Sequence, residues 1–329
     1  MLSGNESNWI VGTQIPAGYG DASGAFRFHP VSVAGSWYIH PYEANVAAWG
    51  VLHGGQQYAP AARTWLQWYM DHMDPETGYV PDYTVNVATY DTAPLLSPFG
   101  ERYYESTDAT AATFLTACRK YVEVSGEKTF LRQNKHAVWA AVRAMESTVQ
   151  DTGLSWARPD RAVHFLANNC ERYQALNDVA WMCANVYAEE TCDAPQYAQK
   201  ATDLGREITG RYWDHSNDMF VTALDRDGGG TSSDWAHWQD AADQMWPVLV
   251  TLDLWPEEFD TMWPQWTSVS DNPTPGAMVA YTAALAGRHD AARQWLRSAR
   301  RAYMADGHAL PWTIREAAFA VATAWLEDV

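Results

Sequence analysis

Residues 291–301 read Ala291-Ala292-Arg293-Gln294-Trp295-Leu296-Arg297-Ser298-Ala299-Arg300-Arg301, and across a loop residues 310–320 read Leu310-Pro311-Trp312-Thr313-Ile314-Arg315-Glu316-Ala317-Ala318-Phe319-Ala320. The first piece carries a charged face and an apolar one, the pattern of a helix that lies on a core with one side in water. The second opens with a polar turn and then runs on in small and apolar residues with no charged face, so it suits a helix buried nearly all round. An amphipathic helix, a polar and aromatic loop, and a fully buried helix form the unit that repeats through the chain.

Outward from this stretch, helical periodicity dominates from Pro41 onward. Long aromatic and polar loops lead into segments at about 41–54, 107–124, 169–190, 240–252, 275–287 and 314–328. These are rich in small residues, as in Ala44-Asn45-Val46-Ala47-Ala48 and Ala109-Thr110-Ala111-Ala112. Short connections lead into amphipathic segments at about 59–73, 127–148, 194–214, 255–265 and 288–305. Six buried helices alternating with five amphipathic ones predict an all-α (α/α)6 toroid, one domain over 1–329, with residues 1–40 wrapping the gap where a twelfth helix would stand. In such a double ring every inner helix starts on the same rim, so the long loops converge on one mouth. Short hairpins are expected in the rim at 79–85 and 219–224. A helical-repeat solenoid is the competing fold, and poor self-similarity between the hairpins speaks against it.

The chain has 329 residues, 47% of them hydrophobic, enough for a continuous core. Its 18 Trp and 17 Tyr exceed what packing asks for, and many stand in polar stretches such as Ser232-Ser233-Asp234-Trp235-Ala236-His237-Trp238-Gln239. Rings with a flat apolar face and a hydrogen-bonding edge suit sugars. A net charge of −18 repels phosphate backbones and anionic lipid, so neither nucleic acid nor a membrane is an expected partner. Cys118, Cys170, Cys183 and Cys192 show no metal spacing and no disulfide density, and read as reduced packing thiols. The first residues, Met1 to Asn8, lack a basic segment followed by an apolar run, which makes a cytoplasmic location the expectation. No His-x-x-x-His or Cys-x-x-Cys pair appears, so neither a metal nor a cofactor is expected.

Carboxylates at the starts of inner helices are the groups that can meet at the mouth. Asp108 opens the second, Glu171 the third and Glu316 the sixth. The third and sixth positions of a six-fold ring face each other. Inverting glycosidases need such a pair, one carboxylic acid for the leaving oxygen and one carboxylate for water, roughly 6.5–9.5 Å apart. A helix N-terminus favours the anion, so Glu316 suits the base, and an acid, Glu171 or Asp108, has to be desolvated by rings such as Tyr173 or Tyr104. Asn168-x-x-Glu171 and Thr313-x-x-Glu316 equally fit capping boxes, and Asp108 equally fits a residue that complements a helix dipole. Sugar contacts are expected from Trp37, Tyr38, His40, Tyr42 and Glu43 at the first inner helix, and from Asp82 and Tyr104 before the second. Trp235, His237, Trp238, Gln239, Gln244 and Trp246 around the fourth, and Trp312 beside Glu316, complete the set.

Pro41-Tyr42-Glu43-Ala44-Asn45, Glu105-Ser106-Thr107-Asp108-Ala109-Thr110-Ala111-Ala112 with Tyr121 to Glu127, Asn168-Asn169-Cys170-Glu171-Arg172-Tyr173 and Gln244-Met245-Trp246-Pro247 together resemble the six-hairpin glycosidases, over roughly residues 36–329. That group includes glucoamylases, glycogen-debranching glucosidases and neutral invertases. The resemblance implies an (α/α)6 barrel with inverting acid–base chemistry on an oligosaccharide or polysaccharide and no catalytic metal. By similarity to invertase-like members the acid is Asp108; by similarity to glucoamylase-like members the acid is Glu171 and the base Glu316. Glu127 stands where the group usually has Asp. Two other functions compete: a sugar epimerase on the same toroid, using His40, His237 and His308, and a sugar-binding protein without turnover.

Overall fold

The structure, a computed structural model, describes residues 2–188, 192–230, 233–251, 276–305 and 307–328. The inner helices are Pro41–His53, Asp108–Ser125, Leu166–Asn185, the pair Trp238–Asp243 and Met245–Thr251, Ala277–Leu285, and Ile314–Leu326. Each packs against the next, and the sixth returns to the first, which closes the ring of an (α/α)6 toroid. Ala59–Asp71, Lys135–Glu146, Ala194–Tyr212 and His289–Ala299 lie outside it, each against inner helices. The expected outer helix at 255–265 lies outside the described residues.

Small residues are what let the ring close. A Cβ added to Gly50 would fall 2.3 Å from the Cβ and 2.5 Å from the Cα of Ala318, so the first and sixth inner helices touch backbone to backbone there. Neither Ala318 atom can rotate away. Gly50→Ala is therefore expected to lose about 1–3 kcal/mol through overpacking, despite the better helix propensity of alanine. Urea unfolding measures it, and an unchanged midpoint would mean the two helices separate freely.

Three details depart from the sequence reading. Within the segment expected to wrap the gap of a twelfth helix, Leu2–Thr13 is itself a helix, packed on the sixth and first inner helices. Its periodicity is hidden because it buries polar groups. Glu6 is 1% exposed and accepts a hydrogen bond from His308 at 2.9 Å, and Trp9 stacks on the same imidazole with ring centres 4.6 Å apart. The outer segment expected at 127–148 is broken at Asn134 into Lys128–Gln133 and Lys135–Glu146. Cys183 and Cys192 are not reduced thiols but a disulfide, Cα to Cα 5.2 Å, while Cys118 and Cys170 are free and buried as expected. The pair is nine residues apart in sequence, a spacing with no signature of its own.

The expected rim strands form. Ser36–Ile39, Tyr83–Asn86 and Thr92–Pro94 make an antiparallel sheet with Trp37 opposite Val85 and Ile39 opposite Tyr83. Met219–Phe220 and Ala223–Leu224 are two-residue strands that pair with Trp213–Asp214 and His164–Phe165.

Candidate active site

Five inner helices, and the loop that leads into the remaining one, deliver residues to one cavity of about 520 Å³ at the rim from which they start. Tyr42 comes from the first, Glu105 and Ser106 from the loop before the second, and Asn168 from the third. Asp240, Asp243 and Trp246 come from the fourth, Met278 from the fifth and Arg315 from the sixth. The convergence expected from alternating helices is thus present.

Glu171 and Glu316 do not line this cavity themselves; buried at 5% and 6% exposed, they touch its lining residues Tyr42 and Arg315. Neither forms a capping box. Phe165, not Asn168, caps the third inner helix, and Asn168 donates its amide to Asp108 at 2.9 Å. Glu316 reaches outside its own helix to accept the Ala277 N–H at 2.9 Å. Not tied to their own helix starts, the two carboxyls are held in contrasting ways, Glu316 by the first N–H of the fifth inner helix. Glu171 Oε1 accepts the Tyr42 hydroxyl at 2.6 Å, and its Oε2 is buried without a partner. Burial drives its pKa well above the usual carboxylate range; the Tyr42 hydrogen bond opposes this, and the charges of Asp108 and Glu105 add to it. The phenol that touches Glu171 is Tyr42, rather than Tyr173 or Tyr104, and it acts as a hydrogen-bond donor that partly offsets the burial.

Glu316 has a cation beside it, with Arg315 Nη2 4.0 Å from its Oε1. Burial raises its pKa, and Arg315 and the Ala277 amide pull the other way without cancelling it, so the net shift is upward. Arg315 is the hub of the site. Burial works against its charge, yet Tyr42, Glu43, Glu316 and Glu105 together hold the guanidinium more firmly protonated than usual. Glu43 is pushed up to about 7 by burial, against the pull of Arg315 and His40. Asp243 reaches about 7 through burial and the neighbouring Asp240. Arg315, Glu105, Asp240 and Asp243 were not singled out from the sequence, although an Arg-Glu pair in the first turn of an otherwise apolar helix was visible there.

Asp108 is fully buried, and three groups donate to it: Ser155 Oγ at 2.6 Å, the Ala109 N–H at 2.7 Å and Asn168 Nδ2 at 2.9 Å. Burial raises its pKa to about 6 against these bonds. It ties the loop that holds Ser155 and the third inner helix to the start of the second, and does not line the cavity. Among the other expected contacts, Tyr42 and Trp246 line the cavity. His40 pairs with Asp82 at 3.2 Å, and Tyr38 stacks on His40. Burial acts to lower the His40 pKa, and Asp82, Glu43 and Glu105 together outweigh it, so the net shift is upward.

Several expected contacts are placed elsewhere. Trp312 is fully buried against Trp295 and Tyr303, and Gln244 exchanges two hydrogen bonds with the Phe220 backbone, at 2.6 and 2.9 Å. Trp37 donates to the Pro30 carbonyl under the Arg27 guanidinium. Tyr104 lines a separate depression with Tyr103 and Phe99, and Trp235 packs on the core. His237 is exposed, and the side chains of Trp238 and Gln239 lie outside the described residues. No His, Cys, Asp and Glu cluster fit for a metal occurs among the described residues, and no described helix is long and apolar enough to cross a membrane.

No protein-family profile and no curated protein matches the sequence. Solved structures do match in shape. A protein described as a wild-type glycosidase superposes with a TM-score of 0.70 at 14% identity, over 99% of this chain and 96% of its own. A GH63 mannosylglycerate hydrolase from Thermus thermophilus, in complex with glucose, gives 0.66 at 12% identity over the full length of both chains. A GH78 family rhamnosidase of Bacillus sp. GL1 gives 0.63 at 15% identity, over 98% of this chain and 34% of its own. This chain therefore shares the (α/α)6 fold of these glycosidases.

Proposed function

We propose that the chain is an inverting glycoside hydrolase, with Glu171 as general acid and Glu316 as general base. The carrying observation is the unequal support of two buried carboxyls on opposite inner helices. Glu171 has a neutral phenol as its partner and is kept protonated by burial. Glu316 has a guanidinium and a backbone amide, both of which favour the anion. Environments that push two carboxyls apart in this way divide the roles of acid and base. Glu171 gives its proton to the glycosidic oxygen as the bond from C1 breaks. Water attacks C1 from the other face and passes a proton to Glu316, leaving a sugar of inverted configuration. The sugar-hydrolase descriptions of the structurally similar proteins, one of them bound to glucose, support a sugar substrate.

The epimerase reading fares worse. His308 is occupied by buried Glu6, His237 stands on the surface, and His40 is paired with Asp82. The decisive test is proton NMR of the first sugar released from a panel of α- and β-linked oligosaccharides. An anomer opposite to the substrate's supports the proposal, whereas a retained anomer, or an isomer with no bond cleaved, defeats it.

Tyr42→Phe probes the acid. The hydroxyl favours the Glu171 carboxylate, so its loss raises the Glu171 pKa further, and the acid stays protonated to higher pH. The alkaline limb of the kcat/KM profile is expected to move upward, while kcat/KM itself falls about tenfold, the cost of a hydrogen bond to a charged group. A limb that moves down, or does not move, would separate Tyr42 from the acid.

A further inference from the structure

The toroid is hollow behind Glu171 as well as in front of it. On the side away from the mouth lies a chamber of about 270 Å³ that runs from Glu171 to His53 in the last turn of the first inner helix. Trp49, Tyr281 and Phe319 form much of its wall, and Trp246 borders both this chamber and the mouth cavity. His53 is 7% exposed, and both of its ring nitrogens are buried without a hydrogen-bond partner. Glu171 Oε2 is in the same condition at the other end. Arg119 Nε, on the same wall, is a fourth atom without a hydrogen-bond partner, and a fold seldom leaves four around one chamber, because each unpaired buried polar atom costs about 1–3 kcal/mol.

We infer that this chamber is a second binding site, for one neutral monosaccharide or a polyol of similar size, distinct from the mouth cavity. Three features select that class. The imidazole is neutral, since burial, with Lys120 and Arg119 nearby, drives its pKa down to about 3, and a neutral ring offers one donor and one acceptor. The two cations of the wall are already answered: Arg119 pairs with Glu123 at 2.9 Å and with Asp178 at 3.7 Å, and Lys120 with Glu123 at 3.7 Å, so no anion is called for. The indole and phenol faces take the C–H face of a sugar ring, and the volume equals that of about nine waters at roughly 30 Å³ each. The inference does not rest on the hydrolase reading, because binding is read without turnover.

The test is calorimetric titration of the whole chain with glucose and with glycerol, for wild type, His53→Phe and Trp49→Ala. His53→Phe fills the chamber with a ring that neither donates nor accepts, and Trp49→Ala removes a stacking face. Each is expected to weaken glucose binding at this site about tenfold or more, while hydrolysis by His53→Phe stays within about twofold of wild type. A wild-type crystal soaked in glucose is expected to show the sugar in the chamber beside Trp49 and His53, whose ring centres are 4.7 Å apart, and on the Glu171 side of them, a readout that needs no variant to fold. Unchanged affinity in both variants, or ordered water alone in the soaked chamber, overturns the inference. Joint loss of binding and hydrolysis in His53→Phe also overturns it, by making the chamber part of the catalytic pocket.

Discussion

Glu171→Gln is expected to hydrolyse a glycoside with an ordinary sugar leaving group about 10²–10⁴-fold more slowly than wild type, the usual contribution of a positioned general acid. The substitution preserves shape and still lets the side-chain oxygen accept the Tyr42 hydroxyl, so the fold and the 2.6 Å contact geometry need not change. What is lost is the proton. A leaving group that departs as a stable anion needs no proton, so an aryl glycoside with an acidic phenol should recover most of the lost rate. Comparing kcat/KM for the two substrates measures the effect. Equal losses on both would show that Glu171 serves binding or packing instead.

Glu316→Gln is expected to lose a similar factor, about 10²–10⁴, but without that recovery. The base acts on the attacking water, and water is needed whatever the leaving group. The amide oxygen introduced by this substitution would still accept the Ala277 N–H, and Arg315 would keep Glu43 as a partner, so the cation is not left wholly unanswered. Substrate binding should then persist while turnover fails. The pattern across both variants is the discriminating result: recovery with the aryl substrate in Glu316→Gln and not in Glu171→Gln would exchange the roles assigned here.

Asp108 illustrates why a motif alone did not single out one acid. Its sequence setting matches the second-motif Asp of invertase-like members, and burial lifts its pKa to about 6. Three hydrogen-bond donors already occupy its oxygens, so it is committed to holding Ser155 and Asn168 in place. Glu171 has one partner and a spare oxygen. Partner counts of this kind depend on residues more than 40 positions away, such as Ser155 for Asp108 and Tyr42 for Glu171, and no local pattern reports them.

The double ring itself was written in the chain. Whether a helix carries a charged face is a property of neighbours three and four residues apart, and so is legible in one dimension, as Ala317-Ala318-Phe319-Ala320 against Arg293, Arg297, Arg300 and Arg301 shows. Alternation of the two kinds sets which rim each inner helix starts from, and so which residues face the mouth. Tertiary structure decided the rest: that Leu2–Thr13 supplies a helix where the pattern was hidden by a buried Glu6–His308 pair, that Cys183 meets Cys192, and that Arg315 stands among Tyr42, Glu43, Glu105 and Glu316. Each of these is an encounter between residues that no local pattern links. Its energy comes from desolvation and charge at short range, which exist only once the ring has closed.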